Sequence, residues 1–560
     1  MKISNERLKL LLEELDLIPK DRLDAAFKFA EENHRPLGAV VVESDLISDD
    51  HLGQIIAGQL GIDFVDLDQE PIDSEVLNLI PKVMAKKQKV IAFGQDEAGI
   101  KLAMVNPSDL TVINLLEKKT GLPVIPYYTT YQNIENVLAK YQQGIKKEFA
   151  DIIQENISQA AHGSRAEDLP IIKIVDTIIE YAYENKASDI HIEPSEEKIL
   201  IRFRIDGILH DIIDLPKNFH ELIVTRIKIM SQLRTDEHRS AQDGKIRMKF
   251  ETETIDIRVS IVPIVEGEKV VLRLLSEKSR QLSLEDLGLN NEDLVKLKKE
   301  YVKPYGAILA TGPTGSGKTT TLYAILKNLN RREVNIATIE DPVEYDIEGV
   351  NQVQVNPRTN LTFAAGLRSL LRQDPNIIMV GEIRDQETAD IAINAAMTGH
   401  LVLSTLHTND AATALPRFLQ MGIEPFLIAS TVNIIVAQRL VRRICPNCIV
   451  SEKVLTSQLK ERFPKELIEK HFGSEEKELR IYRGKGCPLC NQTGYKGRIG
   501  IYEVMAMSET IRDLIMKRAN ADQIRNQAIT EGMKTMIDDG IKKVLSGMTT
   551  VEEVLRATRE

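Results

Sequence analysis

The chain has 560 residues, of which 43% are hydrophobic and 28% are charged, and its formal net charge at pH 7 is −11. This composition is typical of an ordinary globular protein, and the length predicts roughly three or four domains. No apolar run approaches the roughly 20 residues of a membrane-spanning helix, and the acidic amphipathic start "MKISNERLKLLLEELDL" is unlike a signal peptide. The acidic balance argues against binding nucleic acid over the whole chain. We therefore expect a cytoplasmic protein.

Residues 1–145 are predicted to form an N-terminal module that begins with a duplication. "LKLLLEELDLIPKDRLDAAF" (Leu8 to Phe27) aligns with "LGAVVVESDLISDDHLGQII" (Leu37 to Ile56), and each copy has the pattern of two helices joined by an acidic turn. Strand-like pieces such as "KVIAF" then alternate with helical patterns and indicate a small α+β subdomain. The polar residues 146–168 are predicted to be a linker.

Two further domains follow. Residues 169–280 start with the amphipathic helix pattern "IIKIVDTIIEYAYENK" and continue with alternating residues typical of hairpin strands, so they predict an α+β domain. Residues 281–560 alternate apolar strand patterns with helical patterns. That alternation predicts a wound α/β sheet.

A glycine-rich segment, "GPTGSGKTTTLY", lies between a strand pattern and a helix pattern in this last domain. The glycines let several backbone N–H groups point at one spot, and the lysine adds a positive charge at the start of a helix. The spacing is that of a P-loop, in which Thr319 is placed to hold a magnesium ion. The loop therefore predicts an ATP or GTP site. Its residues are Gly312, Pro313, Thr314, Gly315, Ser316, Gly317, Lys318, Thr319 and Thr320.

Acidic and polar residues at the ends of later strand patterns are candidates to act on the nucleotide. "NIIMVGEIRD" resembles a Walker B strand that carries Glu382, which we expect to act on magnesium or its water. "NIATIEDPVEY" ends at Glu340, which we expect to orient the attacking water, with a solvated strand-end charge as the alternative. In "TGHLVLSTLHTND", His407 is placed to sense the γ-phosphate or to make a structural hydrogen bond, whereas His400 is better explained as structural.

All four cysteines occur as "CPNC" and "CPLC", at Cys445, Cys448, Cys487 and Cys490. Two C-x-x-C pairs in a reduced compartment predict one tetrahedral zinc site, with disulfides as the alternative. Four thiolates leave no open coordination position. The zinc is therefore expected to be structural, within a lobe of residues 443–498.

Several segments together resemble the secretion ATPase superfamily, and within it the assembly ATPases of type IV pili and of type II secretion. "GPTGSGKTTTLY", "IEDPVEY", "LRQDPNIIMVGEIRDQETADIA", "TGHLVLSTLHTNDA" and "AQRLVRRICPNC" are similar to its Walker A, Asp box, Walker B, His box and cysteine segments. "ASDIHIEP", "IRFRIDG", "AQDGKIRM" and "GEKVVLRLL" are similar to the domain that precedes the motor. The resemblance implies a RecA-like ATPase domain that includes the zinc lobe, preceded by a PAS-like α+β domain and the N-terminal module.

The same resemblance implies a Mg-dependent, homohexameric ATPase that contacts the inner membrane only through a polytopic platform protein. Arg202, Arg204 and Arg226 are candidates to reach a neighbouring subunit's phosphate, with solvated surface charges as the alternative. Family members that bind cyclic di-GMP carry Arg-Leu-Gly in each N-terminal repeat. Here one copy reads Arg7-Leu8-Lys9 and the other Arg35-Pro36-Leu37-Gly38. Cyclic di-GMP binding is therefore an open alternative, and Lys9 argues against it because it stands where glycine would let the ligand approach the backbone.

Three classes of function remain open on the sequence alone: a pilus or secretion motor, a hexameric nucleic-acid translocase, and a nucleotide-dependent regulator. The acidity and the lack of tryptophan argue against the translocase, so we expect no nucleic-acid partner. The zinc site and the N-terminal extension argue against a simple regulator. Among the motors, we favour pilus assembly over type II secretion, and a retraction ATPase is disfavoured by the zinc lobe and the N-terminal module.

Overall fold

A computed structural model describes residues 4–138, 169–275, 283–460 and 478–559, with Glu469 and Glu475, except for short gaps at 16, 33–34, 45, 78, 81–83, 86–87, 97 and 251–252. The predicted linker at 146–168 lies outside the described residues, as do Asp16 and Asp45 of the two acidic turns. Among the described helices, none combines the length and the apolar character needed to cross a bilayer.

The N-terminal region begins with helices, two in each copy of the duplication. They are α1 (Asn5–Glu14), α2 (Lys20–Glu32), α3 (Leu37–Glu43) and α4 (Asp49–Leu60). Ser4 and Ser48 cap α1 and α4 by accepting a hydrogen bond from a backbone N–H of the first turn. Leucines and valines of both copies, including Leu12, Leu23 and Val41, form one shared buried cluster. Neither copy has a core of its own, which explains why they occur together.

A small α/β subdomain follows. Its elements are α5 (Ser74–Leu77), β1 (Val90–Asp96), β2 (Gly99–Met104), α6 (Leu110–Thr120) and β3 (Val124–Tyr128). The three strands form a sheet in the order β1-β2-β3, in which β1 and β2 are antiparallel and β2 and β3 are parallel. Residues 131–138 are also helical. Ile134 and Val137 of this helix pack into the apolar cluster of the sheet.

The next part is an antiparallel sheet of six strands with two helices. Its elements are α7 (Leu169–Glu184), β4 (Asp189–Pro194), β5 (Lys198–Ile205), β6 (Ile208–Pro216), α8 (His220–Met230), β7 (Gln242–Lys249), β8 (Thr254–Ile264) and β9 (Gly267–Leu275). The strand order is β6-β5-β4-β9-β8-β7. Alternate residues of β5 and β8 are buried, so each strand has one apolar face, as the period-two pattern predicts.

The nucleotide domain is built on a sheet of seven strands. Its first elements are α9 (Asn291–Tyr301), β10 (Gly306–Thr311), α10 (Lys318–Leu329), β11 (Ile336–Glu340), β12 (Val350–Gln354), α11 (Phe363–Leu370), β13 (Ile377–Val380), α12 (Gln386–Met397), β14 (Leu401–Leu406), α13 (Ala411–Gln420), α14 (Pro425–Thr431) and β15 (Val432–Ile444). Strands β10, β11, β13 and β14 are fully buried and pair in parallel. The predicted wound α/β core is confirmed, and it brings the carboxyl ends of these strands to one side.

The remaining elements begin with a hairpin. They are β16 (Ile449–Leu455), α15 (Thr456–Lys460), β17 (Glu478–Gly484), β18 (Tyr495–Ala506), α16 (Glu509–Met516), α17 (Ala521–Thr530), α18 (Met536–Leu545) and α19 (Val551–Arg559). Strand β18 completes the seven-stranded sheet, whose order is β12-β11-β13-β14-β10-β15-β18. Strands β16 and β17 form an antiparallel two-stranded sheet. The cysteines flank this hairpin.

By its contacts the chain divides into two compact units. The first unit contains residues 1–153, 443–496 and 544–550, and the second contains 154–442, 497–543 and 551–560. The cysteine lobe therefore shares a unit with the N-terminal module, whereas the six-stranded and seven-stranded sheets share the other.

Candidate functional site

The glycine-rich loop lies between the buried strand β10 and helix α10. Strand β10 pairs with β14 on one side and with β15 on the other. Gly312, directly after the strand, has a φ of 144°, and a Cβ atom there would lie 2.4 Å from the backbone oxygen of Gln438. Gly317, with a φ of 90°, caps helix α10. The glycines are therefore required by the close approach of β15 and by the left-handed backbone that starts the helix.

Lys318 is buried at the first position of α10. Its Nζ donates to the backbone oxygens of Gly312 at 2.8 Å and of Pro313 at 3.1 Å. Burial lowers the pKa of Lys318, and the nearby charge of Glu382 opposes that shift. The ammonium thus lies inside the curve of the loop, at the positive end of a helix, where a phosphate group is stabilised by both.

Gln438 on β15 holds the loop from outside. Its Nε2 donates to the backbone oxygen of Ser316 at 2.8 Å, and its Oε1 accepts from the hydroxyl of Thr321 at 2.8 Å. The side chain is 1% exposed. Because the Ser316 carbonyl is held toward Gln438, the N–H groups of the loop are free to face the opposite way. Sequence reasoning missed this residue, although it lies in the quoted segment "AQRLVRRICPNC".

Glu382 lies just beyond the end of β13 and is 9% exposed. Its Oε1 is 2.5 Å from a guanidinium nitrogen of Arg384, and its Oε2 is 3.0 Å from Nε2 of His407. The sequence-predicted pair Glu382 and His407 is thus in direct contact. Arg384, two residues after the glutamate, was not predicted. Together the two cationic or donor groups fix the orientation of one carboxylate beside the loop.

Glu340 occupies the end of β11 and is 2% exposed. Its Oε1 accepts from the Thr338 hydroxyl at 2.6 Å and from Gln352 Nε2 at 3.1 Å, and its Oε2 accepts from the Tyr323 hydroxyl. Burial raises the pKa of Glu340, and these donors oppose the shift. Both oxygens are therefore already hydrogen-bonded, in contrast to the solvated strand-end charge that the sequence left as an alternative.

Polar residues at the end of β14 and just after it join the strands around the site. Ser404 donates to the Val380 oxygen at 2.8 Å, and Thr405 donates to the Gly381 oxygen at 2.7 Å, so both tie β14 to the segment of Glu382. The hydroxyls of Thr311 and Thr408 are 2.5 Å apart. His400 lies at the other end of β14, where its Nδ1 is 3.1 Å from the Ala395 oxygen, as a structural histidine would be.

The three arginine candidates belong to the six-stranded sheet and its helix. Arg202 pairs with Glu193 at 2.6 Å, and Arg204 lies 3.5 Å from Asp189 and donates to the Gly207 oxygen at 3.0 Å. Arg226 lies on α8. Burial raises the pKa of Asp176, and the nearby charge of Arg226 opposes that rise. None of these contacts is with the phosphate loop.

A different arginine of the same sheet reaches the nucleotide domain. Arg258 on β8 donates to the Val343 oxygen at 2.6 Å and lies 3.5 Å from Glu344, just after Glu340. Sequence reasoning missed it. The signal was available in "IDIRVS", because strand alternation places Arg258 on the face opposite the buried Ile257.

The cysteine sulfurs converge on one point. All four Sγ atoms lie within 4.8 Å of one another, and three of the separations are 3.8 Å (Cys445–Cys487), 3.9 Å (Cys448–Cys490) and 3.6 Å (Cys487–Cys490). All four thiols are free, which removes the disulfide alternative. A tetrahedral Zn²⁺ with Zn–S bonds of about 2.3 Å requires sulfurs about 3.8 Å apart. The cluster therefore fits zinc.

Comparison with known proteins agrees with this geometry. Residues 164–556 match the family "Type II/IV secretion system protein", and residues 60–148 match the "MshEN domain". The type IV pilus assembly ATPase PilB of Myxococcus xanthus is 38% identical, with 99% of each chain covered. The type II secretion system protein E of Xanthomonas campestris is also 38% identical, with 98% of this chain and 96% of that one covered.

Among solved structures, the ATPase DotB of Yersinia pseudotuberculosis has the same fold, with a TM-score of 0.51, 21% identity, and coverage of 69% of this chain and 93% of that chain. The phosphate loop and the parallel sheet around it define a P-loop ATPase. The chain belongs to the type II/IV secretion system protein family, as the sequence motifs predicted, and it is an ATPase of that family.

Proposed function

We propose that the chain is the hexameric ATPase motor of type IV pilus assembly, working at the cytoplasmic face of the inner membrane through a platform protein. The observation that carries the proposal is the 38% identity to a pilus assembly ATPase along 99% of both chains, N-terminal module included. The phosphate site and the cysteine cluster supply the two chemical elements that such a motor needs: a nucleotide site and a metal-stabilised lobe.

Type II secretion is the second candidate. The relative from Xanthomonas campestris is equally identical along nearly the whole chain. Complementation separates the two: the gene is introduced into one strain that lacks its pilus assembly ATPase and into another that lacks its type II secretion ATPase. Surface pili in the first strain and no exoprotein release in the second are expected. The reverse outcome would replace pilus assembly by secretion, and the Lys318→Ala variant is the control that must fail in both strains.

In the proposed mechanism the backbone of residues 312–317 and the ammonium of Lys318 hold the phosphates. Thr319 and Glu382 would hold the magnesium ion, which neutralises phosphate charge when bound. Arg384 and His407 orient the Glu382 carboxylate, and His407 senses the γ-phosphate in this proposal. Glu340, bonded on both oxygens, positions the segment that follows β11 and through it the attacking water.

The finer structural assignments are part of the same proposal. The cysteine lobe holds one zinc ion, which supplies folding free energy and no open coordination position. Residues 169–275 form the PAS-like domain, because an antiparallel sheet with two helices suits that description. Arg202, Arg204 and Arg226 remain candidates for contact with a neighbouring subunit's nucleotide, and their described ion pairs would have to open for it.

Cyclic di-GMP is a candidate ligand of the N-terminal module. One basic residue of each repeat start is already engaged: Lys9 lies 2.5 Å from Asp24, and Arg35 lies 2.5 Å from Glu43. Titration calorimetry with cyclic di-GMP, with Arg35→Ala as the comparison variant, decides whether the module binds it. We expect weak or no binding, because both cations would have to leave a carboxylate.

A further inference from the structure

The first knuckle of the cysteine lobe makes a two-point contact with the N-terminal module. Asn447 lies between the cluster residues Cys445 and Cys448. Its backbone oxygen accepts from Nε2 of Gln132 at 2.7 Å, and its side-chain Nδ2 donates to Oδ1 of Asn136 at 2.7 Å. Gln132 and Asn136 are four residues apart on the helix of residues 131–138, so they lie on one face of it. Asn447 is only 8% exposed.

A second contact lies on the hairpin of the lobe. The ring of Tyr482 on β17 stacks on Phe29 of α2, with centroids 6.5 Å apart and planes 30° apart. Tyr482 is 4% exposed. Burial raises the pKa of its hydroxyl, the charge of Glu43 adds to that rise, and the charge of Arg35 opposes it. The lobe thus touches both halves of the N-terminal module: the helical duplication through Tyr482, and the α/β subdomain through Asn447.

The lobe has little apolar material to hold these contacts in place. Within strands β16 and β17, Tyr482 is the one buried residue, and every other residue of the two strands is partly or fully exposed. The knuckles are instead ordered by hydrogen bonds around sulfur, since Cys490 Sγ accepts from the N–H groups of Cys487 at 3.2 Å and of Gly494 at 3.3 Å. A metal ion that joins Cys445 and Cys448 would fix Asn447 between them.

From these contacts we infer that the cysteine lobe is the docking surface of the N-terminal module, and that metal occupancy controls the docking. The inference rests on the proposed zinc site. In this view the metal does more than order the lobe. It also stabilises the docked position of the N-terminal module, to which residues 131–138 and α2 belong. Loss of metal then loosens helices that lie more than 300 residues away in sequence, while the fold around the phosphate loop is retained.

Hydrogen exchange of the full-length protein tests the docking. One sample is the parent protein and the second is the Cys448→Ser variant. Zinc content is measured on both. We expect about one zinc per chain in the first and, in the second, exchange at least about tenfold faster in residues 131–138 and around Phe29. Helix α10, which follows the phosphate loop, serves as the internal reference and should exchange at an unchanged rate.

A second pair of variants leaves all four cysteines in place. Asn447→Ala should speed exchange in residues 131–138 while zinc content stays at about one, and Tyr482→Ala should do the same around Phe29. Tyr482→Phe, which keeps the stacked ring, is the matched control and should leave exchange unchanged.

The two assignments fail separately. If Cys448→Ser loosens only residues 443–496, the docking inference is overturned and the zinc site stands. If the parent protein holds no zinc, the inference that metal occupancy controls the docking is overturned. Faster exchange in Asn447→Ala would still support the docking contact. Unchanged exchange in both Asn447→Ala and Tyr482→Ala would overturn the docking surface itself.

Discussion

The phosphate loop and the cysteine lobe both have side chains or N–H groups arranged to hold a charged group, but they obtain their shape in different ways. The phosphate loop follows a strand whose six residues are all buried, and a buried glutamine from the neighbouring strand pins it. The cysteine lobe has one small hairpin and four convergent sulfurs. The first site takes its geometry from the core of the sheet, whereas we propose that the second takes it from a bound zinc ion.

This difference predicts how each site fails. A substitution in the phosphate loop removes chemistry and leaves the fold, because the buried strands around it do not need the side chain that is lost. A substitution in the cysteine cluster removes order and leaves hydrolysis. On the nucleotide side, the expected effects of substitution decrease from Lys318 to Gln438.

Lys318→Ala is expected to abolish ATP turnover, a loss of roughly 10³-fold or more, because it removes the one ammonium inside the loop. Its hydrogen bonds are to Gly312 and Pro313 of the same loop, so the thermal midpoint of the nucleotide-free protein should move by less than about 3 °C. Steady-state hydrolysis and calorimetry are the measurements. Lys327→Ala, an exposed position of the same helix, is the control and should change neither. Normal turnover in Lys318→Ala would contradict the assignment.

Glu382→Gln is expected to bind ATP within about threefold of the parent and to hydrolyse it roughly 10²-fold more slowly, since an amide neither accepts a proton nor binds magnesium as a carboxylate does. The contacts with Arg384 and His407 would lose their charge but keep their geometry. The ATP dissociation constant and turnover are measured together. Glu387→Gln, which breaks a surface ion pair with Arg368, is the matched control. Loss of binding as well as turnover would place Glu382 in nucleotide binding instead.

How much of each site can be predicted from the sequence depends on how far apart in the chain its contacting residues lie. Lys318 and the glycines that shape its loop act within eight residues, so their spacing alone predicts them. Gln438 acts on Ser316 from another strand, and only the register in which Thr311 pairs with Ala437 places it there. Nothing local distinguishes it from other glutamines.

The carboxylates and the lobe also combine local contacts, which a sequence motif predicts, with distant ones, which it does not. The end of an apolar strand correctly placed Glu340, but its partner Tyr323 comes from α10 and Gln352 from β12. The four cysteines were predicted as one cluster because their pairs are local motifs. The contacts of Asn447, which lies between the first two cysteines, with Gln132 and Asn136 were not predicted, because polar residues on a helix face usually meet water.

Glu503 on β18 offers a prediction about stability and pH. Its carboxylate is 3% exposed and accepts from the N–H of Ala411 at 3.0 Å, and burial raises its pKa to about 7. In the unfolded chain the same group ionises near pH 4.3. Below about pH 4 the group is protonated in both states, so Glu503 does not lower the free energy of unfolding. As the pH rises from about 4 to 7, the unfolded chain ionises more readily than the folded one, and the free energy of unfolding falls progressively. Above about pH 7 the full loss is present.

Glu503→Gln keeps the acceptor and cannot ionise. It should raise the free energy of unfolding by up to roughly 3 kcal/mol at pH 8, and by almost nothing at pH 4. Denaturant unfolding at both values measures this. Glu553→Gln is the control with the opposite sign, because Arg556 and Arg442 lower the pKa of Glu553 to about 2 against its burial, so this variant should be less stable at pH 7. A gain for Glu503→Gln that did not vary with pH would contradict the ionisation argument.

Gln438→Met carries the smallest expected effect and tests most directly whether the loop is shaped from outside. Methionine fills a similar volume in the core but donates nothing to the Ser316 oxygen, so that carbonyl is free to turn toward the phosphate. The loop must then be reordered each time the nucleotide binds. Since this cost applies equally to bound ATP and to the transition state, KM should rise about tenfold, with kcat changed less than about threefold. Thr321→Val breaks the other hydrogen bond of the same amide and should raise KM less. A parallel fall of kcat and thermal midpoint in Gln438→Met would instead make Gln438 a packing residue of the sheet.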